Sequence, residues 1–383
     1  MNMNTVYSIF YAIIVVLFII FSYGFVDLNL TLSDNAAYAA IAQPLSALVF
    51  QNRQFATIIY ATFLAALFGL YLHIVWGKPD LWQSRSKTLL KPLLSIVFSL
   101  FLAYPAVSYD VFNYISTAKV AFAHRENPYL TMPIEIPHEP FNSFTRAANK
   151  TALYGPVWIL LTAVPWVVSG GHIWRAILSF KLLMGVVYLL YIYLIYIKTK
   201  SLRNVLFFAL NPLIIIEVLV SGHNDLVMML LAISGFFLWK SSSMLPKVLG
   251  AVLFISSWFI KGSTVLLTPL LFLTNLTNEK LLKIAYWVML ILFIVATPLR
   301  EELYPWYAVW FISIISMLPI TSNGILFGFT VALSIGLELR HLPYMWMGYY
   351  EGPGPVLRIA LTILPVALYF LFQLPPIRKY KRL

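Results

Sequence analysis

The run LLKPLLSIVFSLFLAYPAVSYDVFNYISTAKVAFAHRENPY, residues 89–129, decides how the chain is read. Residues 89–107 are apolar apart from Lys91 and a few small polar side chains, and Asp110 stands at the head of the polar stretch that follows. A carboxylate at the mouth of a membrane helix is expensive to keep there, so it is a functional-site candidate by default. Outward from Asp110 the chain is overwhelmingly apolar. Of 383 residues, 61% are hydrophobic and 10% charged, with a mean hydropathy of +0.84. A soluble domain carries roughly a quarter charged residues, so this composition defines a polytopic membrane protein. One helical bundle in lipid can absorb the whole length, and a single integral-membrane domain over residues 1–383 is expected.

The absence of cysteine excludes disulfides, thiolate catalysis and Cys-ligated zinc. The first apolar stretch, 6–26, lacks a basic leader and a small-residue cleavage site and reads as a retained helix. A net charge of +12 raises nucleic acid as a partner, but the basic residues sit in short loops between apolar runs. They form five clusters: Lys78/Arg85/Lys87/Lys91, Lys198/Lys200/Arg203, Lys240/Lys247, Lys280/Lys283 and Arg378/Lys379/Lys381/Arg382. That pattern follows the positive-inside rule and points to membrane lipids, with no nucleic acid.

Placing all five clusters in the cytoplasm makes the fold class all-α, with about twelve membrane helices and both termini inside. The spans read as 5–26, 55–76, 89–107, 174–197, 204–220, 224–240, 247–260, 263–276, 282–299, 305–320, 322–339 and 355–374. At about 1.5 Å per residue, 247–260 covers roughly 20 Å of a ~30 Å core, which would leave Lys261 below the membrane surface in a protein-lined cavity. The long polar connection from 108 to 174 then lies outside. Its apolar run 154–168, broken by Pro156 and Pro165, reads as a juxtamembrane helix behind an irregular stretch marked by Pro133, Pro137 and Pro140.

The candidate chemistry gathers on that outer side. Asp110, Asn113, Tyr114 and Thr117 recur at three- and four-residue spacing and share one face of any helix that starts there. The bland alternative is capping, since Ser108 and Asp110 both favour helix starts. Glu217 sits near the outer end of one span, and Ser221-Gly222-His223-Asn224-Asp225 forms the turn into the next. Polar side chains at such a turn can hold sugar hydroxyls or a phosphate, or Asn224 and Asp225 merely cap a helix. Lys261 and Arg300 are isolated cations, suited to an anionic leaving group or to snorkelling. Tyr154, Trp306 and Tyr307 are expected at the mouth, where aromatic rings sit at the interface and stack on sugar faces.

The ordered motifs YDVFNYISTAKVAF…ENPYLTMP, LYGPVW, ALNPLIIIEVLVSGHNDLVMMLL, WFIKGSTVLLTPLLF and YPWYAVW, over about 108–311, resemble the polyprenol-phosphate-mannose-dependent alpha-1,6-mannosyltransferases of the glycosyltransferase C superfamily. The family's paired-proline motif is here Tyr154-Gly155-Pro156, and Asp110 is followed by Val111, with no double-acid signature. No cofactor or metal ligand is therefore assigned, and a divalent metal requirement stays open. The resemblance implies a hexose, mannose, moved from a polyprenyl-phosphate-linked donor to a lipid or glycan acceptor on the non-cytoplasmic face of a bacterial or archaeal plasma membrane. It implies Asp110 as the base. Transfer of glucose, galactose or an aminosugar by the same reaction is the first alternative. A lipid-linked sugar transporter or flippase is another, but it should show two matching halves with interrupted helices, and the long loop has no counterpart in the second half. A non-catalytic scaffold is the third.

Overall fold

The computed structural model describes residues 3–26, 36–77, 86–143, 145–296 and 303–373, and the regular structure among them is entirely helical. Arg300, the outer cationic candidate, lies outside the described residues, as do Lys78, Arg85 and the C-terminal basic cluster. Among the described residues, six helices are long and apolar enough to cross a membrane: Val6–Gly24, Arg53–Trp76, Ile173–Thr199, Met244–Lys261, Gly324–Met347 and Gly354–Gln373. A seventh crossing results when Leu202–Ala209 and Pro212–Val220, bent by 53°, are taken as one broken span.

The remaining stretches read as spans are shorter or interrupted. Residues 263–276 hold a 3-10 turn, Ser263–Leu267, and the short helix Pro269–Phe272. Residues 305–320 hold the turn Pro305–Tyr307 and the helix Ala308–Ile315. Hydropathy detects apolar length but not whether a run stays straight, and Pro269 and Pro305 reset the backbone inside these runs. Helix Ala36–Leu48 falls in a stretch given no element from sequence. Conversely, 247–260 belongs to a longer helix, Met244–Lys261, of 18 residues with a kink at Phe259.

The outermost long helix and the central short ones differ sharply in burial. Gly354–Gln373 exposes Val356, Ile359, Ile363 and Phe370, an apolar surface that belongs in lipid. By contrast every residue from 204 to 229 is buried, as is all of Ala308–Ile315. Irregular backbone at membrane depth survives only where protein satisfies it, and the break at Asn211-Pro212 obeys this rule. Pro212 has no amide to donate, and the Asn211 side chain accepts the Leu213 amide at 3.0 Å. Helices Asp225–Trp239 and Met244–Lys261 cross at two glycines: a Cβ on Gly235 would lie 2.7 Å from the Gly250 carbonyl oxygen. Such close approach is how helices associate without a hydrophobic driving force.

The connection between 108 and 174 opens with helix Asp110–Phe122 and passes the turns Pro133–Glu135 and Pro140–Ser143. It closes with helix Pro156–Ser169. Gly155 joins this connection to the bundle. Its amide donates to the Ile260 carbonyl at 3.0 Å, and a Cβ there would lie 2.1 Å from the Phe259 carbonyl oxygen.

Candidate functional site

Asp110 is the first residue of its helix, and Tyr109 occupies the cap position without a side-chain hydrogen bond. The Asp110 carboxylate is turned elsewhere. Its Oδ2 accepts from His223 Nδ1 at 3.2 Å, and its Oδ1 lies at the long distance of 3.5 Å from Asn113 Nδ2. Asn113 in turn accepts from the Thr145 hydroxyl. The approach of the two chain segments depends on Gly222, which has a φ of +75°. A Cβ there would fall 2.6 Å from Val111.

His223 lies in the turn between the broken span and helix Asp225–Trp239. Its other nitrogen, Nε2, stands 3.1 Å from Glu217 Oε2, and Glu217 Oε1 lies 3.5 Å from His341 Nε2. Glu217 owes its placement to a π-helical turn, Ile215–Val220, the kind of irregularity that re-aims side chains at functional sites. With a carboxylate at each nitrogen, only the doubly protonated imidazole can satisfy both. Burial opposes the imidazolium, yet the bonds to Asp110 and Glu217 push His223 up to about 9. Burial likewise opposes the charged Asp110, but His223, Lys261 and Tyr154 together hold its carboxyl below the usual range. Asp110 is thus an anion at neutral pH. The His223 ring lies flat on Trp306, centroids 4.2 Å apart, and Trp306 stacks on Tyr304 at 4.4 Å.

A second polar group lies behind the first. Lys261 Nζ donates to Asp225 Oδ2 at 2.7 Å, and Trp310 Nε1 donates to Asp225 Oδ1 at 2.7 Å. The Lys261 ammonium also sits 5.1 Å from the centre of the Tyr307 ring. Tyr114 fills the space between, accepting the Asn224 amide at 3.2 Å and packing edge-on to Tyr154 and Trp158. The Asn224 side chain itself makes no capping bond.

A cavity of about 960 Å³ opens on the first group. Of the sequence candidates Asp110, Asn113 and Trp306 line it, while Tyr114, Tyr154, Glu217, His223, Asn224, Asp225, Lys261 and Tyr307 stand behind its wall. Its cations are four that sequence reasoning passed over: Arg53, Arg146, Arg340 and Arg358, with His341 beside them. Arg146 lies over the Tyr109 ring at 4.3 Å and Arg358 over Tyr350 at 5.1 Å. Arg53, Arg340 and Arg358 sit close to span ends, where a basic residue reads as an orientation signal, and Arg146 lies in the irregular part of the 108–174 connection. Glu338, an acid inside an apolar span, did carry a signal in the sequence. It lies with Glu217 and His341 such that one ligand atom from each falls within 4.8 Å of the others, the set among the described residues able to hold a metal ion.

An acid at the wall of a cavity ringed by arginines and aromatic rings, inside a bundle of apolar helices, describes a polytopic membrane protein built around a basic, aromatic-lined chamber. The chain belongs to the alpha-(1->6)-mannopyranosyltransferase family, whose N-terminal-domain model matches residues 18–277. It is a glycosyltransferase of the mannosyl-transfer class. The matched segment contains Asp110, Glu217, His223 and Lys261, whereas Trp306, Glu338, Arg340 and Arg358 lie beyond it. No curated protein and no solved structure matches the chain.

Proposed function

We propose that the protein transfers a mannosyl residue from a polyprenyl-phosphate donor to an acceptor hydroxyl in a single inverting displacement, with Asp110 as the base. One observation carries this reading: an ionised carboxylate faces the same cavity as four arginines and a half-buried aromatic stack. The acceptor oxygen attacks the anomeric carbon as the bond to the lipid phosphate breaks, and the phosphate leaves with the electron pair. The acceptor hydroxyl becomes strongly acidic as its bond to carbon forms, so a carboxylate of lowered basicity suffices to take its proton. Arginine is suited to the departing phosphate because its planar fork binds such oxyanions with two parallel hydrogen bonds. Trp306, held between His223 and Tyr304, lines the cavity beside the place for the sugar, and Phe25, Phe50 and Ile359 supply apolar lining for the first prenyl units. A beta-linked donor yields the alpha-linked product of which the family is named.

Asp110→Asn tests the base. Size and most hydrogen bonding persist, the proton sink is lost, and turnover should fall by about 10²–10⁴ while the lipid donor still binds in detergent. Turnover within tenfold of the parent would transfer the base role elsewhere. The cavity is assigned to the non-cytoplasmic face, with Arg203 on the other, by the clustering of basic loops. The natural chain lacks cysteine, so cysteines introduced at 110 and 203 should label from opposite sides of sealed vesicles; labelling from one side contradicts the assignment.

A further inference from the structure

We infer that Glu217, Glu338 and His341 form a binding site for a divalent cation of the Mn2+ type at the inner end of the cavity. Glu338 lies in the last turn of helix Gly324–Leu339, His341 caps the following helix Leu342–Met347, and the His341 amide donates back to the Glu338 carbonyl at 3.3 Å. Arg340 and His341 keep helical backbone angles across this junction, so the Glu-x-x-His spacing turns both side chains the same way, as it does for the paired metal ligands of helical bundles. Glu217 completes the set from the π-helical turn opposite.

Each carboxylate has one oxygen held by a neighbour and one left over. The Tyr60 hydroxyl donates to Glu338 Oε2 at 3.0 Å, and His223 Nε2 stands 3.1 Å from Glu217 Oε2 as an ion-pair contact outside hydrogen-bond geometry. Glu338 Oε1 and Glu217 Oε1 are fully buried and accept no hydrogen bond, and His341 Nε2 makes none either. Outer groups that fix one oxygen of a ligand while the other points inward are the signature of a prepared metal site. Two buried carboxylates this close repel one another unless a cation or a proton lies between them. All three ligand atoms lie within 4.8 Å of one another, close enough for one cation to bridge, and a mixed carboxylate and imidazole set suits Mn2+ better than Mg2+. Access comes from the cavity, which His341 lines. This inference stands on the three side chains alone and survives failure of the base assignment.

The test is Mn2+ titration of the full-length, chelator-stripped protein in detergent, followed by electron paramagnetic resonance of the free ion. One saturable site per chain is expected, with Zn2+ and Ca2+ as competitors. Glu338→Gln and His341→Gln should each weaken binding at least tenfold, and Tyr60→Phe, which removes only an orienting hydroxyl, by about 10-fold. Should Glu338→Gln fail to fold, His341→Gln and Tyr60→Phe carry the test. Absence of saturable binding overturns the inference, as does Mn2+ binding that stays within threefold of the parent in the folded variants. An infrared band of a protonated carboxyl that Glu338→Gln removes and Mn2+ leaves unchanged would show that a proton occupies the position, and would overturn it equally.

Discussion

His223→Gln is the most informative single change, because His223 supplies the positive charge between two carboxylates. Its nitrogens lie 3.2 Å from Asp110 and 3.1 Å from Glu217, and its ring is wholly buried. Glutamine fills a similar volume and can donate a hydrogen bond, but carries no charge. An opposite charge at this range lowers a carboxyl pKa by about 1–3 pH units, so its removal should raise the apparent pKa of Asp110 by that amount. Asp110 acts as the anion, hence the acid limb of kcat/KM for mannosyl transfer moves to higher pH by about 1–3 units. The parent enzyme gives a complementary signature. The stabilisation from protonated His223 is fully present below its ordinary 6.5 and is lost as pH rises through about 9. That interval corresponds to roughly 3 kcal/mol at 1.36 kcal/mol per pH unit. Depressed Asp110 behaves oppositely, its contribution fading as pH falls through its folded pKa. The assay is a pH series of initial rates alongside melting curves in detergent for both proteins. An acid limb that does not move in the variant, or a parent melting temperature flat from pH 7 to 10, would refute the bridging imidazolium.

Arg146→Gln should weaken donor binding by roughly 10- to 150-fold, the equivalent of about 1.5–3 kcal/mol for a hydrogen bond to a charged group. A lipid-donor binding measurement checks it, and the isolated sugar should lose far less affinity than the phosphate-bearing lipid. Lys261→Ala leaves Asp225 buried with Trp310 as its remaining donor. Breaking one partner of such a pair costs about 3–5 kcal/mol, so the melting temperature should drop sharply, while Lys261→Ala/Asp225→Asn should recover part of the loss.

The sequence was most legible where chemistry and folding want different residues. Asp110 breaks an apolar run, and the polar turn at 221–225 interrupts another, so both stood out and both lie against one another through His223. Lys261 stood out equally but is occupied with Asp225 rather than facing the cavity. An isolated cation in an apolar run announces that it has a partner without saying which. Arg53, Arg340 and Arg358 were hidden because a basic residue near a span end already has a reason to be there. Arg53 and Arg358 lie more than 300 residues apart and meet at one cavity, a proximity that only the packed bundle creates. The span count failed to transfer for a related reason: residues 305–315 are apolar because protein surrounds them, and a hydropathy profile cannot separate protein from lipid.

The burial of the short helices bears on how the chain is made. Asp225–Trp239, with 15 residues, reaches about 22 Å and begins with an acid, a poor candidate for insertion into a ~30 Å hydrocarbon layer by itself. Its ion-pair partner, Lys261, emerges from the ribosome later, at the far end of the next helix. The polar interior must therefore wait in the translocation machinery until Met244–Lys261 has arrived, and the two glycine-apposed helices enter as a pair. Biogenesis of this protein is cooperative at its centre, and a chain halted near residue 240 would present an unpaired carboxylate to lipid, a target for membrane proteolysis.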